Sequence, residues 1–344
     1  MYTEDKQFSN SYRRTYLEGM EALVATRRRE LAEKREAHCK AMRNDPDAYR
    51  REYYEMLGWP MTEPRPKSLP NVKIIPVTVD DGIEIVRYQI EVLKDLWLYG
   101  ILFRHENSGA LPFVISQHGG LGTPELCSDL YETGSSNYFK MTRRVLKEGV
   151  NAFAPQLLLW DPKTFEVRPE DADTDSVRRT LDKQLKQVGG SIAALEIYAL
   201  MRALDYFEAQ PFVRADAIGM VGMYYGGFYT LYTAAADTRI KAALSGCFLS
   251  ERDVVDWQDY VFQNSASLFY DAEVATLIYP RDITFTLGKD DYIFSIDGAK
   301  REYERILRLL PDVKEDWVRF VEHEGRHDFC PIDGPIESFV QRLK

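Results

Sequence analysis

Glycines stand two places before and two after Tyr224, in the stretch Ala217-Ile218-Gly219-Met220-Val221-Gly222-Met223-Tyr224-Tyr225-Gly226-Gly227. Small residues in that frame permit a very tight strand-to-helix turn, which lifts the central side chain above a sheet and strains its backbone. Three other loops also follow short apolar runs. They are Gln117-His118-Gly119-Gly120-Leu121-Gly122, Gly288-Lys289-Asp290-Asp291 and Gly325-Arg326-His327-Asp328-Phe329. In turn they offer closely approachable backbone N–H groups, a carboxylate and an imidazole, the parts needed to stabilise an oxyanion and move a proton. Each loop also has a plain reading. Glycines make tight turns, and aspartates cap them, whether or not chemistry follows.

In chain order these loops resemble the oxyanion loop, nucleophile elbow, acid and histidine of the α/β-hydrolase superfamily. The resemblance is strongest to its dienelactone hydrolase and acetyl xylan esterase branch, and it covers the chain from about Asn71 onward. It implies an elbow at Tyr224, an acid at Asp291 with Asp290 as its close rival, and a histidine at His327. It also implies oxyanion donors from the backbone of Gly120 or Leu121 and of Tyr225. His323, at a strand end, reads as structural.

One residue departs from the pattern. The family places Ser, sometimes Cys or Asp, where this chain has Tyr224. No serine lies between Ser191 and Ser245, and neither Ser245 nor Cys247 has the glycine frame. A tyrosine oxygen sits several bonds further out on a rigid ring, so it cannot take a serine's place. A phenol, with an ordinary pKa near ~10, can still exchange a proton with a neighbouring histidine.

Three functions therefore stay open. The first is an esterase-type hydrolase with Tyr224 as nucleophile or as a base activating water. The second is a lyase-type acid/base enzyme using Tyr224 and His327, and the third is a binding protein that kept the fold without the chemistry. The resemblance implies small carboxylic esters as substrates, acetylated carbohydrate among them, and no metal or organic cofactor. It also makes residues 248–282 a cap over the pocket, with Trp257, Tyr260 and His118 as candidate substrate contacts. An aromatic cluster of this kind is equally readable as core.

The elements that would hold these loops are legible from period. Asn71–Val79, Ile83–Val92 and Leu96–Arg104 alternate apolar and polar residues, which predicts an antiparallel meander with one solvated face. Short, nearly all-apolar runs follow at Leu111–Ser116, Val150–Pro155, Ala217–Met223, Ile240–Leu244, Ile283–Leu287 and Trp317–Val321. Helical segments lie between most of them: Tyr138–Lys147, Ile192–Phe207, Gly227–Ala236 and Gly298–Leu310. This alternation predicts an α/β fold, a mainly parallel doubly wound sheet with antiparallel leading strands. Before it, residues 1–70 form a helical extension and a proline-rich connector, and 71–344 form the hydrolase-like domain. In the extension, Leu17, Met20, Leu23, Val24, Leu31 and Ala32 recur at helical spacing. Asn44-Asp45-Pro46 should end that helix, and Asp47 should cap a second. The extension can be read either as a homodimerisation arm or as a helix packed on its own domain.

Charge removes other classes. The chain of 344 residues carries 44 Lys and Arg against 54 Asp and Glu, a formal charge of −10. Residues 1–60 are nearly neutral, with 12 basic and 11 acidic side chains, so the surplus lies in the body. Such a body does not suit nucleic acid, which demands a basic footprint. No apolar run approaches the ~20 residues of a membrane-spanning helix. The first residues lack the apolar stretch of a signal peptide, and four scattered cysteines without a CxxC pair fit reduced thiols. The expectation is a cytoplasmic protein acting on a small molecule. The acidic run at Glu166–Asp175 reads as a solvated loop.

Overall fold

The charged N-terminal sequence forms α1 (Asn10–Met42), which ends just before Asn44-Asp45-Pro46, and α2 (Pro46–Leu57) follows. The computed structural model describes residues 1–131, 136–161, 164–165, 167, 174–255, 257–312 and 315–344. α2 is capped by Asp45, whose carboxylate accepts the Ala48 N–H at 2.9 Å. Asp47, the expected cap, instead lies in the first turn, where its charge favours the helix's positive end.

The two halves of the extension differ in burial. From Asn10 to Glu30 every residue of α1 is exposed, whereas Arg35 and Cys39 are buried. α2 is bound to the body throughout. Its Tyr53 hydroxyl donates to Tyr232 O at 3.0 Å and its Tyr54 hydroxyl to Ala236 O at 2.7 Å.

Among the described residues nine strands form one sheet: β1 (Val72–Asp80), β2 (Ile83–Leu93), β3 (Leu96–His105), β4 (Leu111–Gln117), β5 (Asn151–Pro155), β6 (Val213–Met223), β7 (Ile240–Gly246), β8 (Asp282–Gly288) and β9 (Val318–His323). Their order is β1-β2-β3-β5-β4-β6-β7-β8-β9. The pairs β1–β2, β2–β3 and β3–β5 are antiparallel and the others parallel, as the alternation of periods predicts. The meander departs from expectation at its edge. β2 largely alternates buried and half-buried residues, but β1 is exposed on both faces beyond Val72. Pro76 and a bulge between Pro76 and Thr78 interrupt this edge, which blunts pairing with another strand.

Helices connect the parallel strands: α3 (Pro124–Cys127), α4 (Met141–Lys147), α5 (Thr174–Gln187), α6 (Ile192–Glu208), α7 (Tyr225–Ala236), α8 (Ser265–Leu268), α9 (Asp271–Thr276), α10 (Ile296–Leu309) and α11 (Gly334–Gln341). Most of the acidic run falls outside the described residues, and its end opens α5 rather than a loop. α4 begins later than expected because Tyr138 belongs to a separate short turn. α10 begins earlier, where the Ser295 hydroxyl accepts the Gly298 N–H. β6 shows how the two helical layers close on the sheet. A Cβ on Gly219 would fall 2.7 Å from the Phe339 ring of α11, and one on Gly222 would fall 2.3 Å from Gly226 O at the start of α7. Positions of opposite parity point to opposite faces, so α11 and α7 cover the two sides.

Among the described residues no helix is long and apolar enough to cross a membrane.

Candidate active site

β4, β6, β8 and β9 all end on the same edge, because they run parallel, and their following loops meet there. The turn after β6 is the sharpest. Tyr224 has φ 61° and ψ −116°, a conformation that non-glycine residues adopt only when their surroundings impose it. What imposes it is contact. A Cβ on Gly226 would lie 2.2 Å from Gln117 O, and one on Gly227 would lie 2.5 Å from Gly246 O. The Tyr224 N–H donates to Gly246 O at 2.9 Å, and α7 begins at the next residue. Tyr225 is thus the first helical residue, and its N–H has no acceptor within α7.

His327 and Asp291 are brought together as expected. The His327 Nδ1 lies 2.9 Å from Asp291 Oδ2, and both side chains are almost wholly buried. Asp291 is itself held by its own loop, since Oδ1 accepts the N–H groups of Ile293 at 2.8 Å and Phe294 at 2.9 Å. Asp290 is exposed and only its N–H is engaged, by Gly325 O, so it is not the histidine's partner. Nδ1 must carry the proton to donate to a carboxylate, which leaves a lone pair on Nε2. That Nε2 is buried and has no hydrogen-bond partner among the described residues.

The Tyr224 ring stands perpendicular to the imidazole, with centroids 4.7 Å apart. It also stands edge-to-face against Trp257 at 5.1 Å and Tyr225 at 5.1 Å. A Cβ on Gly120 would lie only 2.6 Å from Tyr224 Cε1, so the ring lies directly on the glycine loop. The elbow, Gly120, Tyr225 and the Asp291–His327 pair therefore share one site. Leu121, the other candidate donor, has φ 58° and an exposed side chain, and it bridges to Trp160.

Two of the three candidate substrate contacts are buried side chains. His118 is fully buried. Its Nδ1–H donates to Gly119 O at 2.8 Å and its Nε2 accepts the Leu157 N–H at 3.1 Å. Burial pushes its pKa down to about 4, so the ring stays neutral and ties the glycine loop to the chain leaving β5. Tyr260 is core: it is 1% exposed and stacks on Phe228 at 4.3 Å. Only Trp257 lies against the site, where it stacks on Tyr225 at 5.5 Å and meets the Tyr224 ring.

Beneath Tyr225 lies a cluster that single-residue patterns do not reveal. Arg178 of α5 is 2% exposed and donates to Asp259 at 2.6 Å, Glu196 at 2.9 Å and the Tyr229 hydroxyl at 2.6 Å. The Tyr229 hydroxyl donates to Glu196, the Tyr225 hydroxyl to Asp259 at 3.3 Å, and the guanidinium lies 5.2 Å from the Tyr225 ring centroid. Asp259 belongs to the segment 248–282, so this cluster fastens α5, α6, α7 and that segment together behind Tyr225. A second unforeseen neighbour is Cys247, which follows β7 with φ 52°. Its thiol is buried and donates to Asp328 O at 2.8 Å. Burial and the nearby Asp291 charge push its pKa up, so it is a thiol rather than a thiolate. Cys247, Asp291 and His327 each present a donor atom within 4.8 Å of the others.

Residues 129–248 match the dienelactone hydrolase family. Among curated proteins the chain is similar to YtaP of Bacillus subtilis (strain 168), a protein named as a hydrolase, at 29% identity over 127 residues. That alignment spans 35% of this chain and 42% of the relative. Solved structures of similar fold include a glucuronoyl esterase from Solibacter usitatus, with a TM-score of 0.59 at 14% identity, covering 88% of this chain and 92% of that one. Acetyl xylan esterase 1 from Thermoanaerobacterium sp. JW/SL YS485 gives 0.54 at 14% identity, with 87% and 93% covered. A cold-adapted esterase from an Arctic intertidal metagenomic library gives 0.54 at 18% identity, with 78% and 97% covered. The chain has the α/β-hydrolase fold, with a dienelactone-hydrolase-like segment that contains the elbow.

Proposed function

We propose that the protein is a hydrolase of small carboxylic esters in which His327, oriented by Asp291, takes a proton from water. The carrying observation is the buried, unpartnered Nε2 of His327, facing an elbow whose neighbours are oxyanion-type N–H groups. Because that nitrogen accepts no hydrogen bond, the phenol of Tyr224 is not poised to hand it a proton. This weighs against Tyr224 as the nucleophile and against an elimination that shuttles a proton between the two. The ester carbonyl oxygen would lie toward the N–H groups of Tyr225 and Gly120, and the attacking water would lie on the His327 side. The Tyr224 ring, pressed on Gly120, would restrict the acyl side to small groups such as acetyl.

The test is steady-state hydrolysis of p-nitrophenyl acetate. His327→Ala should lower kcat by about 10²–10⁴-fold, the usual contribution of a positioned base. Tyr224→Phe should keep most of the activity. Loss in Tyr224→Phe equal to that in His327→Ala would replace this reading with phenol chemistry. Parent activity no greater than that of His327→Ala would remove hydrolysis altogether.

We further propose that the exposed half of α1 pairs with the same segment of a second copy. Tyr12, Tyr16, Leu17, Met20, Leu23 and Val24 are exposed along one broad stripe of it. Most helical stability in proteins comes from packing an apolar face, and the apolar stripe of this half is left exposed by the described residues of its own chain. Six such side chains offer roughly 600 Å², on the order of one partner's share of a standard interface. Sedimentation should give a dimer for the full chain and a monomer after deletion of residues 1–26, and a monomeric full chain would refute the pairing.

A further inference from the structure

We infer that Cys247, Asp291 and His327 form a binding site for one borderline-soft divalent cation, of which zinc is the fitting example. Three donor atoms of three kinds, a sulfur, a carboxylate oxygen and an imidazole nitrogen, converge within 4.8 Å of one another. Sulfur with imidazole selects zinc-like ions over calcium or magnesium, which take oxygen donors, and three protein ligands leave a fourth position free. The geometry is already fixed. β7, β8 and the loop after β9 set the three residues, and backbone bonds between those segments hold them: Cys247 N–H to Thr286 O at 2.8 Å, and Asp290 N–H to Gly325 O at 3.0 Å.

The charges close. A cysteine ligates a metal ion only as its thiolate, so the ion takes the place of the thiol proton. On binding, the Cys247 S–H bond breaks, its proton leaves to buffer, and the sulfur's electron pair goes to the ion. The imidazole keeps its one proton on whichever nitrogen the ion does not take. Thiolate and carboxylate then offset the two positive charges, leaving a neutral buried cluster. One proton is released for each ion bound. An imidazole so engaged cannot also receive a proton from water, so under the proposed function the bound ion is an inhibitor. Binding itself does not depend on that function.

The experiment is equilibrium dialysis of the full chain against zinc, with bound metal and released protons counted. A parallel titration with cobalt(II) reports sulfur ligation through its thiolate charge-transfer absorption. One zinc and one proton per chain are expected, with a thiolate band for cobalt. Cys247→Ser and Cys247→Ala, shown to be folded by circular dichroism, should both abolish the band and weaken zinc binding by about 100-fold or more, beyond the ~10–100-fold typical of outer-sphere changes. No stoichiometric zinc, no thiolate band, or unchanged affinity in both variants would each overturn the site. Hydrolysis is assayed separately, so an inactive protein that still binds zinc refutes the proposed function and leaves the metal site standing.

Discussion

Replacing Tyr224 by serine is expected to raise kcat/KM for p-nitrophenyl acetate by about 10²–10⁴-fold, the range that a positioned base supplies to a nucleophile beside it. The backbone for a serine nucleophile is already built, with φ 61° and ψ −116° at the elbow and α7 beginning immediately after it. The short side chain would bring a hydroxyl toward the open Nε2 of His327, where the tyrosine ring now stands face to edge. Removing the ring also clears Gly120, against which Cε1 is pressed, so that a substrate carbonyl can reach the backbone donors. The ring is only partly buried, and its loss should cost about 1–3 kcal/mol, below the 3–5 of a fully buried aromatic. The measurement is turnover together with fluorophosphonate labelling mapped to position 224. A folded variant that neither turns over faster nor labels would show that Gly120 and Tyr225 do not form an oxyanion hole.

Arg178→Met should destabilise the chain by about 3–5 kcal/mol, read as a lower urea midpoint at unchanged slope. The guanidinium is buried between Glu196 and Asp259 and also holds the Tyr229 hydroxyl. A methionine of similar length fills the space but leaves two carboxylates buried without their cation. Neutralising those groups as well, with Glu196→Gln and Asp259→Asn in the same chain, should recover most of the loss, because an uncompensated charge costs more than an absent pair. If the triple variant is no more stable than Arg178→Met, the cluster acts through packing rather than charge. Arg178→Lys is expected to fall between, since an ammonium cannot match the fork that reaches both acids and the hydroxyl.

Much of the site was legible because its parts are local. Gly222 and Gly226 announce the elbow, and the strain they relieve is a backbone property set by neighbours two residues away. The choice between Asp290 and Asp291 was narrowed but not forced by spacing. It is decided by which carboxylate the turn directs inward, and the N–H groups of Ile293 and Phe294 make that Asp291. His118 could not be read correctly, because its partner at Leu157 is brought to it only by the pairing of β4 with β5. Arg178 was invisible for the same reason. Its partners come from α6, α7 and the cap, 18 to 81 residues away in sequence, and a lone arginine in a polar helix carries no periodic signal. The strands were legible from their apolar runs, whereas the exposure of β1 depends on which element covers the edge of the sheet. No residue pattern within the strand encodes that.

The helix that opens the chain does more than extend from it. Near its root, Arg28 pairs with Asp253 at 3.5 Å, and the Arg35 guanidinium lies 3.8 Å above the Tyr270 ring while donating to Ala266 O. All three partners belong to residues 248–282, the segment whose Trp257 meets the Tyr224 ring. That segment is therefore fastened on two sides, by Arg178 through Asp259 and by α1 through Asp253, Tyr270 and Ala266, so a folding unit that looks like an appendage shares its anchorage with the wall beside Tyr224.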